Sequence, residues 1–212
     1  MSLIVVVGLE REARIVGGRA RVLIGARGLD QALAEGASAV LSFGLCGALD
    51  PVLEVGDLVL GETVATAGGR YAADPAWTDQ LARILPHAAR MTVAAGPEIV
   101  GSAGAKAVLR QATGAGAVDM ESHLVAEAAA RAGARFAVLR AVSDRAGDNL
   151  PAAAQAGFAT NGRPNVLGVL AALLARPGDL APLIRTARHA EMAFQALKSA
   201  AVNTVWAPAG GD

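Results

Sequence analysis

The sequence predicts an α/β fold: one domain, with a mostly parallel, twisted central sheet flanked by helices. Three observations carry this. Short aliphatic runs of strand length recur along the chain, Ala-rich stretches with helical character lie between them, and acids and glycines fall where several runs end. Buried parallel strands read as continuous apolar runs rather than alternating ones, and strand–helix alternation is how such sheets are built.

The strands are expected, in order, at residues 4–7, Arg21–Ile24, 39–43, 57–62, Ala117–Asp119 and 136–142. A helix is expected over 121–131, directly after Asp119, with Gly133 as its left-handed cap. A second helix starts at Asn165 and runs to Leu174, ending before Pro177 and Gly178. A third covers roughly 180–201. In it Leu183, Ala187, Ala190, Phe194 and Leu197 form one apolar stripe, with Arg185, Arg188, Glu191, Gln195 and Lys198 off it. This helix has two readings: packing on the sheet, or contact of Arg176, Arg185, Arg188 and Lys198 with anionic lipid, a peripheral membrane contact. Residues 1–206 read as a single domain and 207–212 as a frayed tail. Neither repeats nor a flexible linker interrupt it.

The totals narrow the class. A chain of 212 residues, 53% hydrophobic and 18% charged, can bury one sizeable core and is unlike disordered sequence. The formal charge is zero, which argues against a general nucleic-acid binder. The single cysteine, Cys46, excludes a disulfide framework and a cysteine-rich zinc site. His87, His123 and His189 have no companion ligands, so no metal is expected. The N-terminus reads as a strand rather than a signal peptide, and no apolar run is long enough to span a bilayer. The protein is therefore expected in the cytoplasm.

Ligands of open α/β sheets sit at the carboxyl ends of the strands. There the sequence places Glu10 and Glu12, the turn Gly44-Leu45-Cys46-Gly47, Asp119 and Glu121, and Asp144. Acids gathered at one edge of an apolar sheet suit a polyhydroxylated ligand. Cleaving an N-glycosidic bond needs such a set: one acid protonates the departing base, another carboxylate holds sugar hydroxyls and stabilises an oxocarbenium-like transition state, and water or phosphate attacks the anomeric carbon.

Three segments then carry a resemblance. They are Ser42 to Pro51 with Val55-Gly56-Asp57-Leu58-Val59 after it, Ala117-Val118-Asp119-Met120-Glu121-Ser122, and Leu139-Arg140-Ala141-Val142-Ser143-Asp144. In order and spacing they resemble the nucleoside phosphorylase superfamily of phosphorylases and nucleosidases. With Glu12-Ala13-Arg14-Ile15 and the stretches from Asn149-Leu150-Pro151 to Arg176-Pro177-Gly178, the chain looks most like the hopanoid-associated phosphorylases. The resemblance implies release of adenine from adenosylhopane by phosphorolysis. The alternatives are a hydrolytic purine nucleosidase of the methylthioadenosine type and a non-catalytic nucleoside-binding protein on the same fold. It also implies no cofactor beyond phosphate as co-substrate, and a homo-oligomer, with a dimer favoured.

By the same resemblance, Asp144 protonates the purine at N7, Glu121 binds the ribose hydroxyls, Met120 packs against the sugar, and Glu12 positions the attacking water. Ile99 and Val100 contact the base, and Ser143 orients the acid beside it. One departure matters. Where phosphorylases place an arginine and a serine to bind phosphate, this chain has Ser42 and Leu45, leaving Arg14 or Arg11 with Gly44 and Gly47 as the phosphate pocket.

Each residue also has a plainer reading. Asp144 could cap a turn, Glu121 could favour a helix N-terminus, and Glu12 could belong to a solvated helix start. Asp119 is as readily structural as ligand-contacting. Arg140, inside an apolar strand, is expected to pair with a buried carboxylate. Cys46 reads as a small buried residue and His123 as a satisfied histidine.

Overall fold

The computed structural model of the protein describes residues 2–157, 166–203 and 206–208. In chain order its elements are β1 (Ser2–Val7), α1 (Glu10–Val16), β2 (Arg21–Ile24), α2 (Leu29–Ala34), β3 (Ala37–Ala48), β4 (Leu58–Thr66), β5 (Gly69–Ala72), α3 (Pro75–Ile84), β6 (Ala89–Ala95), α4 (Ala103–Thr113), β7 (Ala117–Asp119), α5 (Ser122–Ala132), β8 (Arg135–Asp144), α6 (Ala152–Gly157), α7 (Val166–Ala175) and α8 (Leu180–Asn203). All six expected strands are present. The sequence runs did not announce β5 and β6, whose polar residues Arg70, Arg90 and Thr92 interrupt the apolar pattern. The expected start of α7 at Asn165 lies outside the described residues.

The sheet is mixed. Strand β1 lies between β2 and β3, parallel to both, and β3 runs parallel to β8. Strand β8 is antiparallel to β4, β4 parallel to β6, β6 parallel to β7, and β7 returns antiparallel to β3. Five strands thus close on themselves: β3, β8, β4, β6 and β7. β1 and β2 extend the sheet from β3, and β5 extends it from β4.

Helices cover both faces, as the apolar composition requires. Val125, Ala126, Ala128 and Ala129 of α5 and Leu29, Ala32 and Leu33 of α2 pack on one face. Trp77 and Leu81 of α3, Val16 of α1 and Ala193, Phe194, Leu197, Ala200 and Ala201 of α8 pack on the other. The buried stripe of α8 therefore runs along its C-terminal half. Ala187, expected in the stripe, is exposed, and so are Arg185, Arg188 and Lys198. Residues after α8 return to the body: Trp206 meets the ring of Phe43, and Ala207 accepts a hydrogen bond from Gln80. Residues 209–212 lie outside the described residues. Among the described residues, no helix is long and apolar enough to cross a membrane.

Candidate active site

The carboxyl ends of β1, β3, β7 and β8 converge on a cavity of about 560 Å³. Glu12, Asp119, Glu121 and Asp144 all line it, with Gly47, Met120, Ile99, Val100 and Ser143. The structure thus brings together most of the residues singled out in the sequence, from five separate stretches of chain.

Glu12 is no part of a solvated helix start. It is 2% exposed and sits in the first turn of α1, where its carboxylate accepts the amides of Gly8 at 2.8 Å, Leu9 at 2.9 Å and Leu45 at 2.9 Å. Two of these are amides at the helix start that have no partner within the helix, so the acid also caps α1. Burial raises its pKa above the ordinary carboxylate value, against the opposing pull of Arg140 and the three amides.

Beside it lies a fully buried arginine. Arg140 stands opposite Gly44 in the β3–β8 register. Its Nε is 2.8 Å from Asp119 Oδ2, and its Nη1 reaches Glu121 Oε2 at 3.3 Å. Its Nη2 donates to Ser42 Oγ at 2.6 Å and to Ser122 Oγ at 3.2 Å. The expectation that Arg140 pairs with a buried acid is met by two of them. Asp119 proves structural as well: it accepts the amides of Glu121 and Ser122 and the Ser122 hydroxyl, fixing the start of α5. Glu121 is the least anchored of the group. Burial pushes its pKa up to about 7; Arg140 opposes the rise, and Asp119 and Glu12 add to it.

Asp144 ends β8 at the other side of the cavity, opposite Gly47. Ser143 Oγ lies 3.0 Å from Asp144 Oδ1 and donates to the carbonyl of Cys46 at 3.1 Å. Asp144 Oδ2 accepts a hydrogen bond from the ammonium of Lys106, which the sequence reading did not single out. A lysine in an Ala-rich helix ordinarily marks the solvated face, so nothing in the sequence flagged it. Here Lys106 is the buried residue of α4.

Three glycines make the arrangement possible. A Cβ at Gly44 would lie 2.6 Å from Glu12 Oε1 and 2.8 Å from Arg140 Nη1. One at Gly8 would lie 2.8 Å from Glu121 Cδ, and one at Gly47 would lie 3.0 Å from Asp144 Oδ2. Glu12, Glu121 and Asp144 each lean on a residue without a side chain, the close approach that only glycine permits.

Arg14 is not brought to this cavity. It is 78% exposed on the outer side of α1, ion-paired to Glu10, and lines a separate depression with Arg11, Arg19 and Lys198. The reason is helical phase: with Glu12 turned inward, residues one to two positions away point elsewhere. Gly44 sits behind Glu12 rather than on the cavity wall. Cys46 is buried, and burial pushes its thiol pKa up, which makes it inert as a nucleophile. Helix α8 contributes Thr186, Ala190 and Phe194 to the wall; the last two were expected in its apolar stripe. Among the described residues, no cluster of three or more side chains has the makings of a metal site.

Comparison with known proteins gives the arrangement a family. The model of the phosphorylase superfamily matches residues 21–175. The futalosine hydrolase of Helicobacter pylori strain 26695 is similar in structure, with a TM-score of 0.64 at 16% identity over 96% of this chain and 98% of that one. The S-adenosylhomocysteine nucleosidase of Streptococcus pyogenes, in complex with 5-methylthiotubericidin, gives 0.62 at 18% identity over 92% and 96%. The 5′-methylthioadenosine/S-adenosyl homocysteine nucleosidase of Campylobacter jejuni gives 0.61 at 18% over 94% and 99%. No curated protein matches in sequence. At such identities the structural likeness speaks for the fold, while the family match spans most of the chain: the protein belongs to the phosphorylase superfamily and is an enzyme of nucleoside phosphorylase and nucleosidase type.

Proposed function

We propose that the protein hydrolyses the N-glycosidic bond of an adenine nucleoside, with water rather than phosphate as the nucleophile. One observation carries this reading. The cavity wall holds Glu12, Glu98, Asp119, Glu121 and Asp144 and, among the described residues, neither lysine nor arginine. A phosphate dianion would find no free cation on this wall to bind it, whereas water needs none. Arg140 cannot serve, because its guanidinium is held by Asp119, Glu121 and two serine hydroxyls. Arg14, through which phosphorolysis was expected, lies on the outer side of α1 and away from this wall.

The reaction then divides among the acids. Asp144, braced by Ser143, donates its proton to purine N7. The C1′–N9 bond breaks, its electron pair goes to the base, and adenine leaves. Glu121 accepts the ribose hydroxyls, Met120 packs on the sugar, and the surrounding carboxylates stabilise positive charge developing at C1′. Glu12, whose pKa burial raises above the ordinary carboxylate value, positions water and takes its proton as the oxygen bonds to C1′. Ile99 and Val100 contact the base. The products are adenine and a free ribose end.

Leu9, Leu150, Ala190 and Phe194 supply apolar wall to the same cavity. They support a nucleoside with an apolar 5′ substituent. Methylthioadenosine is the small case of that class, and adenosylhopane, which the sequence resemblance suggests, is the bulky one.

Adenine release from methylthioadenosine and from a 5′-alkyl adenosine, each with and without phosphate, tests the proposal. Equal rates are expected, with the 5-substituted ribose bearing a free C1 hydroxyl as product. A rate that rises with phosphate would restore phosphorolysis. Binding without release from any purine nucleoside would leave a binding protein.

A further inference from the structure

Helix α4 packs against the body in an unusual way. Its buried residue is a charge, Lys106 at 1% exposure, while its Val108 is 67% exposed. Burying an ammonium is expensive unless it is fully paired, so a lysine held at such a position has specific partners. Here the Nζ donates to Asp144 Oδ2, to the carbonyl of Arg145 at 2.7 Å and to that of Asp148 at 3.4 Å. These three acceptors satisfy all three of its protons. Lys106 is not among the residues lining the cavity: it reaches Asp144 from behind.

We infer that Lys106 is a positioning residue for the base-protonating acid: it fixes the Asp144 carboxyl group through Oδ2 and stabilises the carboxylate left when the proton moves to the purine. This rests on the proposed hydrolysis. In that step the Asp144 O–H bond breaks, an N7–H bond forms, and the C1′–N9 pair is released to the base. Asp144 is left as an anion, and the Lys106 ammonium lies against that anion without having to move. The charge is thus offset by a preorganised partner rather than by solvent. Asp144 afterwards regains a proton from water, so lysine is neither consumed nor altered.

The arrangement also admits a plainer role, since the same ammonium ties down the carbonyls of the loop after β8. The two roles are separable by leaving group. A purine needs protonation to depart, whereas 4-nitrophenolate departs unprotonated. We therefore compare Lys106→Met, Lys106→Arg, Asp144→Asn and the double variant on methylthioadenosine and on 4-nitrophenyl β-D-ribofuranoside. Lys106→Met is expected to lower kcat on the purine nucleoside by about a hundredfold, within the usual range for general-acid assistance, with KM little changed. On the nitrophenyl riboside the loss is expected to be about fivefold or less, because the proton-dependent part of catalysis is absent there. Lys106→Arg, which keeps the charge, recovers part of the purine activity.

If Lys106→Met leaves Asp144 unpaired and the protein unfolds, the double variant, which removes both members of the pair, gives the answer. On the purine nucleoside it should be no slower than Asp144→Asn alone, since a residue acting through Asp144 has nothing left to act on. Equal losses on both substrates, or losses that multiply in the double variant, overturn the inference. A wild-type protein that cleaves the nitrophenyl riboside but no purine nucleoside overturns the proposed function beneath it, and this inference with it.

Discussion

The two ends of the cavity handle buried charge differently. At one end Arg140 is shared among Asp119, Glu121 and two hydroxyls, with Glu12 alongside on three backbone amides. At the other, Lys106 serves one carboxylate, Asp144. The first is a lattice in which the loss of any member strands several others. The second is a pair in which a single proton can change hands with little rearrangement. This difference fits the proposed division of labour: a fixed negative field where the sugar turns positive, and a movable proton where the base departs.

The largest effect should come from the pair. Asp144→Asn keeps the shape and removes the proton. It should lower kcat on purine nucleosides by about 10³-fold or more, as steady-state kinetics would show, and because the buried Lys106 loses its carboxylate a thermal melt should also register a loss of stability. A variant that stayed active would dissolve the distinction between the two ends.

The lattice should answer chiefly in stability. Arg140→Met leaves Asp119 and Glu121 without their cation, and breaking a buried pair in this way costs about 3–5 kcal/mol. Urea unfolding should register that loss. A variant of wild-type stability would mean that the acids take up protons with no penalty.

The pH dependence of stability sharpens the same contrast. Glu121 rises to about 7 in the folded protein from an ordinary 4.5, and Glu12 is also raised. An acid with a raised folded pKa favours the folded state below its unfolded pKa, and that contribution is lost as pH climbs through the folded value. Stability should therefore fall between pH 4.5 and 7 by about 3 kcal/mol on account of Glu121. Asp50 and Asp74, whose pKa values are lowered by their partners, stay ionised through this window and do not contribute. His123, lowered by burial, pulls the opposite way, so Glu121→Gln measured across the same range isolates the effect.

The smallest effects should come from the glycines. Gly44→Ala pushes on both Glu12 and Arg140, which are held by several bonds and cannot yield, and should lower kcat by about a hundredfold. Gly47→Ala meets only the Asp144 carboxylate, at 3.0 Å, and should lower it by roughly tenfold, a displacement of a few tenths of an ångström. A reversed order would place the tighter tolerance at the pair.

Much of this was legible in the chain. The strands that deliver the acids are aliphatic runs with little else they could be, and Asp119, Glu121 and Asp144 follow them directly. Glu12 was ambiguous because its burial depends on Gly44, thirty-two residues away, being bare. Arg14 misled for the complementary reason: two residues from Glu12 in sequence, it leaves α1 on the opposite side. Lys106 and the wall residues of α8 were invisible, since helical periodicity separates polar from apolar faces but does not say which face a neighbouring loop will cover. The closure of β3, β8, β4, β6 and β7 was equally out of reach, because strand runs carry no record of their partners.

That closure has a practical consequence for anyone who wishes to change what the protein accepts. The strands bearing Arg140, Asp119 and Asp144 belong to a loop of pairings without a free edge, so none can slide past its neighbour to accommodate a new ligand. Residues 97–100 and the face of α8 at Thr186, Ala190 and Phe194 touch the same cavity from outside that loop. Specificity can be rewritten in those two segments, by exchange or by library, while the reacting groups keep their register.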